Sequence, residues 1–235
     1  MKEEIRELAK NNGFCLFGVA DPVIFKDYPR VIGKIVDKTQ EYLHPLEIAE
    51  SCKSVLVFAI EAKSDIFDTV IKSEGEYSYR AQFYYETIEH RLNKIKQFIE
   101  NAGYNTFPLK KFSFKRAAIL AGLGYPGKNT LVTTLKYGSN LRFGVILTDL
   151  FLKPDEPNDP FSSELCGKCN RCINICPVNA IEDNRLDFNK CLVPALDVEK
   201  KGSDRWNKAY ELQKHFSNES YIECNKCQKI CRYNS

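Results

Sequence analysis

Cys166-Gly-Lys-Cys169-Asn-Arg-Cys172-Ile-Asn-Ile-Cys176-Pro177 is a run of four cysteines that determines how the carboxyl-terminal third of this chain can fold. The spacing is C-x-x-C-x-x-C-x-x-x-C-P. At this spacing three thiolates can wrap one face of a small metal cluster while the fourth points away to another centre. The run therefore predicts a [4Fe–4S] site.

A second group of cysteines follows the first and completes eight of the ten in the chain. In bacterial ferredoxins, whose spacing this run shares, the fourth cysteine of each run ligates the other cluster. That rule predicts one cluster on Cys166, Cys169, Cys172 and Cys231. It predicts a second cluster on Cys176, Cys191, Cys224 and Cys227.

Zinc and disulfides are the two alternatives for these cysteines. Structural zinc prefers two pairs of ligands per ion, whereas here three cysteines share one short run and the fourth comes from far along the chain. Disulfides need an oxidising compartment, and nothing in the sequence directs the chain to one. Thiolate-only ligation at this spacing favours iron–sulfur clusters over both.

Composition and charge exclude several classes of protein. The chain has 235 residues, 43% hydrophobic and 28% charged, which is ordinary for a soluble globular protein. A net charge of +3 is too small to indicate nucleic acid or a membrane surface. The charged amino terminus predicts no signal peptide, and no apolar run reaches the length of a membrane span. We expect a cytoplasmic protein without a membrane partner.

The pattern of apolar residues predicts an α+β protein. Helices are expected over residues 2–12, 86–100 and 113–120, and strands over residues 14–20, 54–60, 131–135 and 142–148. The proline- and acid-rich residues 153–160 mark a domain boundary. The expected domains are an α/β cofactor-binding core over residues 1–152 and a double [4Fe–4S] ferredoxin-like domain over residues 161–235, with an inserted helix within 204–216.

A glycine-rich loop, Ala121-Gly-Leu-Gly-Tyr-Pro-Gly-Lys-Asn-Thr130, is the second informative stretch. It approaches a Walker A pattern, but Asn129 stands where a Ser or Thr should bind Mg²⁺, and a strand rather than a helix is expected after it. A plain connecting turn is one interpretation. The other is a loop that approaches a cofactor closely, and the residues predicted to bind the cofactor are Gly122, Gly124, Gly127, Lys128, Asn129 and Thr130.

Three motifs together resemble the epoxyqueuosine reductases. They are Asn11-Asn-Gly-Phe-Cys-Leu-Phe-Gly-Val-Ala20, the stretch from Arg116 to Leu131 followed by Gly138-Ser139, and the two cysteine runs ending at Asn234. The resemblance covers nearly the whole chain. It implies a nitroreductase-like α/β core that carries a cobalamin and is fed by two [4Fe–4S] clusters, an arrangement shared with reductive dehalogenases.

The sequence also departs from that family. The resemblance implies an Asp-Ser pair with a proton-donating Asp where this chain has Pro108-Leu109, and an Asp-Tyr-His stretch where it has Phe83-Tyr-Tyr85. Arg232 follows Cys231 where the family has a proline. The resemblance also implies a carboxyl-terminal helical-repeat domain that helps to hold tRNA, and we do not expect that domain in this chain. These departures argue against epoxyqueuosine and tRNA as its substrate, and no catalytic residue is assigned.

Two classes of function follow. In the first, the chain is an oxidoreductase that passes electrons from a ferredoxin- or flavodoxin-type donor through both clusters to a cofactor, cobalamin, that reduces a small molecule. In the second, it is a ferredoxin-like electron carrier or an activator that reduces a separate corrinoid protein. Five tyrosines could supply a proton, with packing as the alternative role: Tyr77, Tyr79, Tyr84, Tyr85 and Tyr125. Cys15 and Cys52 are predicted to be buried hydrophobic residues.

Overall fold

The computed structural model describes residues 1–35, 38–73, 79–182 and 184–234. The helices of these segments are α1 Lys2–Asn11, α2 Pro45–Ile48, α3 Phe83–Asn101, α4 Phe114–Leu120, α5 Arg171–Asn174, α6 Ala195–Val198, α7 Asp204–Leu212 and α8 Lys226–Lys229. The strands are β1 Leu16–Ala20, β2 Ile32–Ile35, β3 Lys38–Glu41, β4 Ser54–Glu61, β5 Thr69–Ser73, β6 Tyr79–Gln82, β7 Thr106–Phe107, β8 Tyr125–Pro126, β9 Val132–Thr133, β10 Leu141–Thr148, β11 Ile181–Glu182, β12 Arg185–Leu186, β13 Lys214–Ser217 and β14 Ser220–Ile222.

The core is an antiparallel sheet in the order β1-β4-β10-β7. The central strand β4 is apolar along its length because helices cover both faces of the sheet. Leu56, Phe58 and Ile60 pack with α1 and α3 on one face. Val55 and Val57 pack with α4 on the other. The predicted strands over residues 14–20, 54–60 and 142–148 are therefore confirmed as parts of one sheet.

The helices follow their sequence signals closely. Ser113 caps α4 as predicted, because its hydroxyl accepts a hydrogen bond from the Arg116 amide at 3.3 Å. Helix α3 crosses β10 so closely that a β-carbon at Gly144 would lie 2.4 Å from Ile88 Cγ2. Glycine at this position lets the helix lie directly on the sheet.

Two predicted elements are shorter than expected. Residues 131–135 form only the two-residue strand β9, because the chain turns at Thr134, whose amide donates to the Gly138 carbonyl. The helix predicted within 204–216 ends at Leu212, and the following residues enter the hairpin of β13 and β14. In both places a local turn or hairpin ends the predicted element.

A second sheet, in the order β13-β14-β5-β6, crosses the boundary predicted at residues 153–160. Tyr221 of β14 lies opposite Val70 of β5, and both residues are fully buried. The two-domain division stays a prediction, but main-chain hydrogen bonds join the two segments. No helix in the described part of the chain is long and apolar enough to cross a membrane.

Candidate metal centres and cofactor cavity

The first predicted group of cysteines surrounds one small cavity near the protein surface. Cys172 lies on α5, and Cys231 follows α8, which packs against α5. The four cysteines of the group all line this cavity, which we call the outer cavity: Cys166, Cys169, Cys172 and Cys231. The structure therefore brings together the set assigned from sequence spacing.

Backbone amides point at two of the cysteine sulfurs. The Lys128 amide donates to Cys166 Sγ at 3.4 Å, and the Ala180 amide donates to Cys176 Sγ at 3.2 Å. Hydrogen bonds of this kind stabilise the thiolate form and raise the reduction potential of a cluster held by it. The two amides therefore favour the thiolate forms of Cys166 and Cys176.

All four cysteines of the second group are partly buried. Burial, together with the neighbouring Cys224 and Cys191 thiolates, raises the pKa of Cys227 to about 12. Burial likewise raises the pKa of Cys191 and of Cys224, and Cys176 acts on both of them in the same direction. Four mutually repelling sulfurs are stable as thiolates only when a cationic centre offsets their charge. The donor set therefore fits a thiolate-bound metal cluster.

Among the described residues, no three His, Cys, Asp or Glu side chains converge on a point that could hold one metal ion. The thiolates of a [4Fe–4S] site each bind a different iron ion, so their sulfurs need not converge on one point. Ligation of the two clusters by the two groups of cysteines stays a prediction.

A larger cavity of about 370 Å³, which we call the inner cavity, separates the core from the second group of cysteines. Its volume lies within the roughly 300–1,000 Å³ of typical ligand sites. Three of the cysteines line it: Cys191, Cys224 and Cys227. Its apolar wall includes Phe114, Leu131, Val132, Leu141, Phe143, Leu186, Phe188 and Val193.

A buried ion pair forms one polar wall of the inner cavity. Arg142 Nη2 contacts Asp68 Oδ1 and donates to Gln228 Oε1 at 2.7 Å. Asn225 Nδ2 donates to the other oxygen of Asp68 at 2.8 Å. The guanidinium also lies over the Tyr84 ring, 5.3 Å from its centre. These residues connect the core sheet to α8, and sequence patterns did not single them out because their partners are remote in the chain.

Lys115 presents an ammonium group to the same cavity. Its Nζ donates to the Thr130 carbonyl at 2.9 Å, and its side chain stays accessible. Desolvation by the surrounding protein lowers the pKa of the Lys115 ammonium group, and the like charge of Arg142 acts in the same direction. Thr130 holds a φ of 62°, which is rare for a β-branched residue and costs roughly 1–3 kcal/mol. Such strain is typical of ligand sites.

The glycine loop serves mainly to join the two cysteine regions. Lys128 Nζ donates to the Gly167 carbonyl at 2.8 Å and to Asn170 Oδ1 at 2.9 Å. Asn129 lines both cavities, and Thr130 lines the inner one. The three glycines of the predicted cofactor site are not among the residues lining either cavity: Gly122, Gly124 and Gly127.

The glycines instead permit close packing within the protein. A β-carbon at Gly122 would lie 2.5 Å from the Glu156 carbonyl oxygen, and one at Gly127 would lie 2.5 Å from Thr133 Oγ1. Contacts this short exclude any larger side chain without rearrangement. Cofactor binding by these glycines stays a prediction, whereas Asn129 and Thr130 lie where a ligand could reach them.

The residues at which this sequence departs from the resembled family do not line the inner cavity, with the exception of Tyr84. Pro108 and Leu109 do not line it, whereas Asp68 and Glu223 supply the carboxylates of its lining. Of the candidate tyrosines, Tyr84 lines the cavity, and Tyr77 lies outside the described residues. Cys15 is half-buried and Cys52 is buried, and burial raises the pKa of each thiol to about 11.

Known proteins resemble both parts of the chain. Residues 165–234 match the family of 4Fe-4S double cluster binding domains. The epoxyqueuosine reductase of Listeria monocytogenes is 25% identical over 267 residues, covering 100% of this chain and 65% of the relative. That of Pseudomonas aeruginosa is 34% identical over 158 residues, covering 64% of this chain and 41% of the relative. The chain thus spans about half of the length of such relatives.

Solved structures share the fold. An epoxyqueuosine reductase from Streptococcus thermophilus superposes with a TM-score of 0.70 at 20% identity, covering 100% of this chain and 66% of that one. A catabolic reductive dehalogenase in complex with 3-bromo-4-hydroxybenzoic acid superposes with a TM-score of 0.62 at 19% sequence identity. The match covers 99% of this chain and 32% of the dehalogenase. A further structure concerns B12-dependent dehalogenation. The α+β fold with a carboxyl-terminal double [4Fe–4S] region, and the resemblance to the epoxyqueuosine reductases, are therefore confirmed.

Proposed function

We propose that this chain is an iron–sulfur oxidoreductase whose two [4Fe–4S] clusters supply electrons to a cofactor, cobalamin, in the inner cavity for reduction of a small molecule. One observation carries the proposal: Cys191, Cys224 and Cys227 form one wall of a cavity whose other walls belong to the core. A plain electron carrier has no need of such a space beside its cluster.

The lining of the inner cavity fits a tetrapyrrole. Its aromatic and aliphatic side chains offer an apolar surface, and the contacts among Asp68, Arg142 and Gln228 make up one polar wall. Cobalamin, when bound, supplies a cobalt centre that can be reduced and can react with a substrate. The chain's own part is to hold the cofactor, exclude water and place charged groups beside the reacting molecule.

Three polar residues of the inner cavity contribute to these roles. Lys115 offers a positive charge to an anionic group of cofactor or substrate, since its own hydrogen bond goes only to a carbonyl. Arg142 is engaged by Asp68 and therefore shapes the wall. Glu223 brings a carboxylate to the cavity. Because Pro108-Leu109 supplies no acid, we favour a small substrate other than epoxyqueuosine on tRNA.

Anaerobic reconstitution with iron, sulfide and cobalamin tests the proposal. We expect cobalamin absorbance to remain with the protein after gel filtration, alongside the iron–sulfur bands. Leu131→Trp should fill the inner cavity and abolish retention, whereas Leu135→Trp, on a residue that is 69% exposed, should leave it unchanged. Iron content checks that both variants fold.

Two outcomes would contradict the proposal. Protein that holds both clusters but no cobalamin would be an electron carrier, or an activator of a separate corrinoid protein. Protein that retains cobalamin equally with Trp at position 131 would hold it somewhere other than the inner cavity.

A further inference from the structure

The two groups of cysteines face different surroundings. The loop that connects the ligands of the outer cavity is exposed at Gly167, Lys168, Asn170 and Arg171. Cys191, Cys224 and Cys227 face the inner cavity instead. If the inner cavity is where electrons are used, then the outer cavity is where they enter.

Positive charge surrounds the outer cavity. Arg171 and Arg232 line it together with the cysteines, and Lys168 lies between Cys166 and Cys169 in the exposed loop. All three cations are exposed. Within the described part of the chain, none of them has an ion-pair partner. We call these three residues the basic rim.

Arg232 is held in place at this rim. Its Nη2 donates to the Leu165 carbonyl at 2.7 Å and to the Tyr233 hydroxyl at 2.8 Å. These two hydrogen bonds hold the guanidinium at the edge of the outer cavity, which Arg232 lines together with the four cysteines.

On the basis of the proposed function, we infer that the basic rim is the docking surface for an acidic electron-carrier protein, which reduces the cluster held by Cys166, Cys169, Cys172 and Cys231. Complementary charge steers such partners to a small and short-lived interface. The position of the charges favours this partner over RNA, since they are interleaved with cluster ligands, which RNA has no need to approach.

Reduction by photoreduced flavodoxin, followed anaerobically by stopped-flow bleaching of the cluster absorbance, tests the inference. The second-order rate constant should fall steeply between about 20 and about 200 mM salt, as screening shortens the range of the charges. The double variant Lys168→Glu/Arg171→Glu should be slower by on the order of tenfold or more and should lose this salt dependence. Lys94→Glu, an exposed charge reversal on α3, should behave as the wild type.

Each rate is normalised to the iron that dithionite can reduce in the same sample. Charge reversal could impair cluster assembly, so the same rate is also measured in the neutral variants Lys168→Gln and Arg171→Gln, which should be slower than the wild type. The salt dependence of the wild type tests the inference without any substitution. If the rate constant for reduction by flavodoxin changes neither with salt nor in the variants of the basic rim, the inference is overturned while the proposed function stands.

Two other results would also decide against it. If the rim variants weaken binding of an unmodified tRNA stem-loop and leave the flavodoxin rate unchanged, the rim is a nucleic-acid surface. If dithionite reduces no cluster in the wild type, the proposed function fails together with the inference.

Discussion

The side-chain amide of Asn129 donates to the main-chain carbonyl of Cys227 at 3.0 Å, across 98 residues of sequence. Asn129 also contacts Ser139 Oγ at 3.4 Å and accepts from the Leu131 amide at 3.2 Å. Ser139 in turn donates to the Gln228 carbonyl at 3.1 Å. The glycine loop is therefore tied directly to the helix that carries a predicted cluster ligand.

Asn129→Ala should destabilise the protein and loosen its second cluster. The change removes the side-chain partner of the Cys227 carbonyl and of the Leu131 amide, both partly buried, which costs at most about 1–3 kcal/mol per unsatisfied group. Anaerobic urea denaturation should show the lower free energy of unfolding, and iron should be lost faster to a chelator. Asn101→Ala, at the exposed end of α3, is the matched control and should change neither value.

Cys231→Ser should remove one cluster and spare the other. About eight irons per chain are expected in the wild type, and about four in the variant, since Cys231 shares the outer cavity with the first group. Iron analysis and electron paramagnetic resonance measure this. Cys15→Ala should keep the full iron content, and loss of the centre near Cys227 in the serine variant would refute the assignment.

Arg142→Ala should be among the most destabilising single changes. Asp68 is 4% exposed, and loss of Arg142 would leave its carboxylate buried without its cation, which typically costs about 3–5 kcal/mol. The double variant Arg142→Met/Asp68→Leu should recover much of that loss, because no charge is then left unpaired. Denaturation of both variants provides the comparison. Equal instability of the two would show that the ion pair is not the cause.

Stability should fall in mild acid partly because of His215. Its ring lies between Tyr210 and Tyr221, and burial there lowers the pKa of His215 below its ordinary 6.5. As pH falls through 6.5, the unfolded chain binds a proton that the folded chain does not, so the free energy of unfolding decreases. His215→Phe should lose less stability than the wild type between pH 7.5 and pH 5.5. Parallel curves for the two proteins would exclude His215 as a contributor.

The sequence indicated local patterns, such as the spacing of the cysteines, better than it indicated contacts between remote residues. The cysteine groups were predictable because ligand spacing within one short run is a local property. Asp68, Arg142 and Gln228 were not, since their contacts join residues 74 and 86 positions apart, and no periodic pattern marks such pairs. Strand and helix patterns held where burial on a sheet reinforced them, as in β4.

The glycine loop has a packing role that its sequence did not reveal. Three glycines near a lysine suggested a backbone that approaches a cofactor. In the structure Gly127 instead makes room for Thr133, and Lys128 holds the loop between cluster ligands. The glycines therefore permit close packing within the protein, and their binding of a cofactor stays a prediction.

The pairing of β5 with β14 has a consequence for how the protein is made. The strand Thr69–Ser73 can pair early with β6, but a ribosome must synthesise the chain beyond Ile222 before it acquires its second neighbour, β14, and until then its other edge is open to other nascent chains. The same late segment carries Cys224, Cys227 and Cys231, so the sheet and the predicted cluster ligands are completed together. Cells starved of iron should therefore accumulate this protein as aggregates or degradation products.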